Sequence, residues 1–147
     1  MHVLATHKKA YADYEVLETF EAGLSLLGFE VKSVRAGHMD LHASYVVLRG
    51  GEAFLLNAKI YPLAAHRTPQ GYEPGRTRKL LLQKKELSQL LGKTSQKGLT
   101  LVPLRVYTKG RFIKLDIALA RGRKEYEKRE RIKKRESERE MQRFLKT

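Results

Sequence analysis

The densest run of groups able to hold a polyanion lies at 76–85, where Arg76, Arg78, Lys79, Lys84 and Lys85 surround Leu81, Leu82 and Gln83. Guanidinium and ammonium groups so closely spaced suit phosphate oxygens, contacts that position a nucleic acid without reading its sequence. No comparable cluster supports catalysis. His2, His7, His38, His42 and His66 are scattered, and His38-x-x-x-His42 lacks the glutamate and helix of a metalloprotease site. Asp40, between those two histidines, fits a polar loop far better than a nuclease fragment. Arg49-Gly50-Gly51 fits a turn rather than a nucleotide-binding loop. The chain has no cysteine, which excludes disulfides and thiolate metal ligands. The expectation is a protein with no catalytic residue, metal or cofactor.

Composition points the same way. The 147 residues carry 30 Lys and Arg against 16 Asp and Glu, a formal net charge of +14. Such a balance calls for a polyanionic partner, most often nucleic acid. The charge is uneven: residues 121–147 hold 12 bases and 6 acids. The chain therefore divides into a folded body at 1–120 and a basic tail at 121–147. No apolar run is long enough to cross a bilayer and no leader pattern opens the chain, so a cytoplasmic protein is expected.

The elements that must position the basic run are read from periodicity. Tyr14, Val16 and Glu18 alternate with Glu15, Leu17 and Thr19, giving a first strand near 13–19. Between Phe20 and Gly37 a short helix is expected first, with Glu21 in its first turn and Gly28 closing it. A strand then follows, on which Phe29, Val31, Ser33 and Arg35 alternate with Glu30, Lys32 and Val34. YVVLRGGEAFLL is a hairpin around Gly50-Gly51, which sets Arg49 against Glu52, Val47 against Phe54 and Tyr45 against Leu56.

From Pro62 to Gly75 the pattern fails, leaving a long surface loop that either meets a ligand or is a disordered insertion. RTRKLLL reads as extended. A second helix follows Gln83, with Glu86 at capping-box spacing, Leu87, Leu90 and Leu91 on its apolar side, and Gly92 at its end. A second hairpin, with its turn centred between Lys109 and Gly110, opposes Val106 to Ile113, Leu104 to Leu115 and Val102 to Ile117. Its other face pairs Tyr107 with Phe112 and Arg105 with Lys114, either a nucleic-acid surface or a solvated one. Pro103 implies an edge or a bulge. Five or six strands and two short helices suggest a small closed or partly open barrel of the oligonucleotide-binding type. The tail is rich in helix formers, with Glu127–Arg131 and Glu130–Lys134 at helical spacing. Its apolar stripe of Ile132, Met141, Phe144 and Leu145 is too sparse to dock, so it is expected to be disordered alone and helical once a polyanion neutralises it.

Five stretches carry a family resemblance: FEAGLSLLGFEVKSVRAGHMDL at 20–41, SYVVLRGGEAFLLNAKIYPL at 44–63, RTRKLLLQKKELSQLLG at 76–92, KGLTLVPLRVY at 97–107 and IALARGRKEYEKRERIKKR at 117–135. They resemble the small protein B family, partners of transfer-messenger RNA in bacterial ribosome rescue. The resemblance implies a mostly β fold, a six-stranded barrel with two or three short helices and a disordered basic C-terminal tail. It implies binding to the RNA's tRNA-like domain, as a monomer and without a membrane, and delivery to the ribosomal decoding centre with the tail helical in the mRNA path. It makes Glu21, Leu81, Leu82 and Gln83 RNA-face candidates beside Arg76, Arg78, Lys79, Lys84 and Lys85. In the tail it points to Lys124, Tyr126, Lys128, Arg129, Ile132, Lys133, Lys134 and Arg135 as ribosome contacts. The chain departs from the family in having His7-Lys8-Lys9-Ala10 for an Asn-x-x-Ala motif, and Glu127 for an aspartate.

From the residues themselves, Glu21 serves either as a structural partner of amides or a base, or as an acceptor for a base edge or ribose hydroxyl. One of Leu81 and Leu82 should face the core and the other RNA. Tyr126 either stacks on a base or anchors the linker. A ribosomal structural protein, with a barrel body and a tail in ribosomal RNA, is the alternative that the residues leave open.

Overall fold

The computed structural model describes residues 1–63, 68–96, 98–123 and 125–146, and within the last helix the side chains of 129 and 132–143. In chain order the elements are β1 (His2–Thr6), α1 (Ala10–Asp13), β2 (Tyr14–Leu24), α2 (Gly28–Arg35), β3 (Met39–Asp40), β4 (Tyr45–Arg49), β5 (Glu52–Leu56), β6 (Lys59–Ile60), β7 (Arg78–Leu81), α3 (Lys84–Thr94), β8 (Leu99–Lys109), β9 (Phe112–Gly122) and α4 (Glu125–Lys146).

Seven strands form one antiparallel sheet in the order β1-β8-β9-β2-β7-β5-β4, while β3 and β6 pair separately. The expected six-stranded barrel is therefore corrected to an open, strongly curved sheet. The reason lies at β8, whose edges are taken by β9 and, along Arg105–Thr108, by β1. The far strand β4 passes the start of β8 across a cleft of about 410 Å³ walled by Val46, Leu48, Leu99 and Leu101. Among the described residues no ladder joins β4 to β8 or β1.

The Phe20–Gly37 expectation is reversed in order: the strand comes first and the helix second. Phe20, Ala22 and Leu24 alternate into the core while Glu21 and Gly23 face outward, continuing β2. A bulge at Leu17 separates this stretch from Tyr14 and Val16, which pack with Ala10, Val102, Leu104, Ala118 and Ala120 on the opposite face. Thus one end of the outer face is covered by α1 and the other stays open.

Helix α2 buries Glu30, Ser33 and Val34, a helical i, i+3, i+4 spacing whose first two members are polar. Its first turn is closed by the Glu30 carboxylate, whose Oε1 accepts the Leu27 amide at 2.8 Å. Its terminating glycine is Gly37, at φ 84°, rather than Gly28.

Glu30 and Arg78 form a buried ion pair, Arg78 Nη2 donating to Glu30 Oε2 at 2.6 Å, with both side chains 0% exposed. The same carboxylate accepts from Arg76 and from Tyr72 Oη at 2.7 Å. Arg78 also donates to the carbonyls of Ala58 and Pro74, both at 2.8 Å. Tyr72 and Pro74, within the expected surface loop, are thereby tied to the buried pair, whereas the loop's residues 64–67 lie outside the described residues.

The β4–β5 hairpin has the expected register, Arg49 opposite Glu52 through Tyr45 opposite Leu56, with Gly50 and Gly51 at φ 60° and 76°. The β8–β9 hairpin is shifted by two residues from expectation: Lys109 faces Phe112, Tyr107 faces Lys114 and Val106 faces Leu115. The turn sits on Gly110 (φ 61°) and Arg111; Val106, Ile113 and Leu115 keep their common face, but the bulge turns the expected partners Leu104 and Val102 to the opposite one. The Pro103 region carries the expected bulge, between Pro103 and Arg105. Helix α3 starts at Lys84 with Glu86 Oε1 accepting the Gln83 amide at 3.3 Å, and passes Gly92 to end at Thr94. The tail, expected without fixed structure, is helical over Glu125–Lys146. Strand β9 runs to Gly122, and the Arg123 amide donates to the Asp13 carbonyl at 2.8 Å, so the body extends slightly beyond 120.

Burial alone pushes the Glu30 carboxyl upward, but Arg76, the Leu27 amide and Arg78 outweigh it and hold the pKa at about 2, against an ordinary 4.5. A carboxylate with a depressed folded pKa stabilises fully above its unfolded value and loses that stabilisation as pH falls toward the folded one. We therefore expect stability to decline by about 3 kcal/mol from this group between pH 4.5 and 2. Glu30→Gln, which strands Arg78, should cost about 3–5 kcal/mol at neutral pH and flatten that part of the profile. Urea unfolding across pH reads both, and an unchanged acid limb in the variant would refute the assignment.

Candidate nucleic-acid interface

The open half of the outer sheet face gathers residues that lie far apart in the chain. Cross-strand pairs place Glu21 beside Asp116, Gly23 beside Lys114 on one side and beside Leu81 on the other, and Arg105 beside Asp116. Glu21 and Leu81 thus share one surface, separated only by Gly23. A Cβ on Gly23 would lie 3.2 Å from the Leu81 Cβ, so the glycine lets the two strands bring Leu81 close.

Glu21 is a strand residue, not a helix-end group, and its side chain is 36% exposed. Tyr107 Oη donates to its Oε2, and Lys109 Nζ to its Oε1 at 3.0 Å. The Tyr107 hydroxyl also lies 2.8 Å from Asp116 Oδ1, while Arg105 Nε donates to Asp116 Oδ2 at 2.9 Å. A phenol has one proton, so Tyr107 satisfies one carboxylate at a time. The Tyr107 hydrogen bond, then that of Lys109, holds the Glu21 carboxyl below its ordinary value. Burial, followed by the bonds to Glu21 and Asp116, raises the Tyr107 phenol far above its own. Glu21 is therefore a fixed anion with a free edge, an acceptor aimed outward.

Beside it lies a cleft of about 330 Å³, walled by Leu26, Leu81 and Phe112 and rimmed by Arg111 and Lys114. Leu81 is 53% exposed and Phe112 64%, with Lys114 Nζ 5.5 Å from the Phe112 ring centre. Leu82 packs against the core, which settles which leucine faces out. An exposed aromatic, an exposed leucine and two cations around a pocket of this size can hold an unstacked base and its phosphate.

The residues of the basic run separate. Arg78 leaves the surface set: its guanidinium is wholly buried on Glu30 and cannot reach a phosphate. Arg76 is 30% exposed and donates through Nε and Nη2 to the same carboxylate and through Nη1 to the Thr77 carbonyl. Lys79 is on the outer face, paired with Glu52 at 2.9 Å. Gln83, Lys84 and Lys85 are exposed at the start of α3. In the tail, Arg129, Ile132, Lys133 and Lys134 are exposed and Arg135 is half-exposed. Lys124 and the side chains of Tyr126 and Lys128 lie outside the described residues. Sequence reasoning kept Arg105, Tyr107, Phe112 and Lys114 apart from Glu21 and missed Lys109 and Asp116. The β2–β9 pairing is what joins them, and no local pattern encodes it.

Residues 4–147 match the family model described as SmpB protein. The chain is 50% identical over 144 residues to the SsrA-binding protein of Microcystis aeruginosa, covering 98% of this chain and 94% of that protein. It is 48% identical to the SsrA-binding protein of Gloeothece citriformis, covering 98% and 93%. Among solved structures, one described as "tmRNA-SmpB: a journey to the center of the bacterial ribosome" aligns with a TM-score of 0.67 and 48% identity, over 82% of this chain and 84% of that one. The match reaches from the first strand through the tail and includes every stretch that builds the Glu21–Leu81 surface. The chain belongs to the SmpB protein family.

Proposed function

We propose that this chain is the protein partner of transfer-messenger RNA, a non-catalytic adaptor that holds the tRNA-like domain and delivers it to stalled ribosomes for trans-translation. The observation that carries this reading is the family match over residues 4–147, because it leaves neither the sheet nor the tail without a role. The protein works where translation occurs, in the cytoplasm, as a monomer on its RNA. Among the described residues no helix is long and apolar enough to cross a membrane.

In this reading Glu21 accepts a hydrogen bond from a base edge or ribose hydroxyl in a folded loop, a contact that discriminates structure rather than charge. Leu81 packs on an unstacked base, and Lys79, Gln83, Lys84 and Lys85 hold the backbone beside it. Arg78 acts from within by fixing β7 and so the position of Leu81. The body, residues 1–120 with β9 completed to Gly122, carries RNA affinity, while 121–147 act on the ribosome. Helix α4 spans 22 residues, roughly 33 Å at the α-helical rise, and its nine bases suit a channel walled by phosphate. In free solution the tail loses this helix to the repulsion among its bases, and the phosphate wall restores it through Lys124, Tyr126, Lys128, Arg129 and the 132–135 turn.

Replacing Lys79, Lys84 and Lys85 by Gln should weaken binding to many RNAs and reduce the log–log salt slope by about 2 to 3. Glu21→Ala should cost affinity for the tRNA-like domain while leaving nonspecific binding equal or slightly tighter. Tyr107→Phe should reproduce part of that selective loss, because the carboxylate would no longer be held in place. Titrations at two salt concentrations decide between these roles, and equal losses on cognate and unrelated duplex RNA would remove Glu21 from selective recognition.

Tail and body should also come apart. Deleting residues 124–147 is expected to leave affinity for the tRNA-like domain nearly unchanged and to abolish peptide tagging on a stalled ribosome. Ile132→Pro should reproduce much of that defect without changing charge, since proline in a helix interior costs about 3 kcal/mol. Full tagging activity of the proline variant would show that the tail acts by charge alone.

A further inference from the structure

A second cleft, of about 300 Å³, lies away from the Glu21 face, between the β4–β5 turn and α3. Leu48, Arg49, Gly50 and Gly51 form one wall. The other is Lys84, Leu87, Ser88 and Leu91, spaced i, i+3, i+4, i+7 and so a single face of the helix. Leu87 packs against the core, but Leu91, one turn on, is left 59% exposed, a large apolar group directed at the cleft instead of the protein interior.

The two cations at this cleft are uncompensated. Arg49 stands opposite Glu52 in the hairpin, yet Glu52 pairs with Lys79 on its other side. Among the described residues neither Arg49 nor Lys84 has an ion-pair partner. Glu86, the nearest carboxylate on α3, accepts the Gln83 amide instead. An apolar slot edged by two unpaired cations complements a ligand with a flat apolar body and an adjoining negative charge.

We propose that this cleft holds one unpaired nucleotide of single-stranded RNA, its base against Leu87 and Leu91 and its phosphate between Arg49 and Lys84. The assignment rests on the reading of the chain as an RNA-binding protein and extends it to a second contact point. Lys84 lies three residues beyond Leu81, so the start of α3 joins the Glu21–Leu81 surface to the slot. The absence of an aromatic wall makes the slot tolerant of base identity, since apolar contact and charge discriminate little among bases.

The test is titration of the isotope-labelled full chain with an adenosine pentanucleotide, followed by amide shifts in NMR. Saturable shifts should centre on 48–51 and 84–91. Arg49→Ala combined with Lys84→Ala should weaken binding about tenfold and lower the log–log salt slope by about 0.7, the loss of one phosphate contact. Leu91→Asn should weaken it about fivefold with the slope unchanged, because only apolar contact is lost. Both changes are at exposed positions, and thermal unfolding verifies that the variants keep the parent fold. If the chain saturates this cleft yet ignores the tRNA-like domain, the proposed function fails and the cleft stands. Shifts that spread over the basic surface without saturating, or full affinity in Leu91→Asn, would overturn the cleft assignment.

Discussion

The fold is tied together by one buried carboxylate. Glu30 projects from α2 into a region with no solvent, and Arg78 comes from β7 to meet it, each 0% exposed. Neither charge is tolerable there alone, because removing an ion from water costs several kcal/mol unless it is paired and hydrogen-bonded. The pair is satisfied on every side: Tyr72, Arg76 and the Leu27 amide converge on the acid, while the Ala58 and Pro74 carbonyls accept from the base. No buried side-chain nitrogen or oxygen is left without a partner among the described residues. The network thereby joins the start of α2, the end of the 62–75 loop and the first residue of β7. The register of β7 follows, and with it the outward direction of Leu81.

That register matters because the outer face is assembled rather than encoded locally. Glu21 becomes useful only when β9 sets Asp116 beside it and β8 brings Tyr107 and Lys109 within reach. The bulges in β2 and β8 make this possible. Before them the outer face is small and apolar, filled by Val16, Val102, Leu104, Ala118 and Ala120 under α1. Beyond them it is polar and bare. A strand of strict alternation would have continued one character along the whole face, so the two bulges mark the border between packing and recognition.

What the sequence discloses depends on whether its signal is local. Gly50-Gly51 locates a turn outright, and the β4–β5 pairing is legible residue by residue. Near its turn the β8–β9 hairpin discloses its faces but not its pairing, since alternation is unchanged by a two-residue slip; beyond the bulge the expected faces of Val102 and Leu104 are exchanged as well. Helix α2 is illegible to hydrophobic periodicity because Glu30 and Ser33 occupy its buried face, so Phe29 and Val31 suggest a strand instead. Barrel closure depends on whether β4 pairs with the start of β8, and no local pattern records that it does not. In the candidate site, Glu21 and Leu81 are found by resemblance, while Arg78 is misread as surface because it sits among other bases. A signal was present: on a strand Arg78 shares a face with Leu80, so a buried Leu80 entails a buried Arg78.

A net charge of +14 is also a poor measure of the surface that the protein offers to phosphate. Arg76 and Arg78 are absorbed by Glu30, Lys79 by Glu52, Lys93 by Glu18, Arg105 by Asp116 and Lys109 by Glu21. These pairs do different things. The buried one holds the fold. Those at the surface contribute little to stability, but they fix carboxylates in place and remove bases from competition for the ligand. Among the described residues, cations outside these pairs flank both clefts, Arg111 and Lys114 at one and Arg49 and Lys84 at the other. Nonspecific attraction scales with the total, whereas in the proposed function placement of a folded RNA depends on a few positioned groups and on the exposed anion of Glu21. A protein that must choose one RNA among many polyanions gains more from neutralising bases in the wrong places than from adding them, and the role proposed for Glu21 follows that logic.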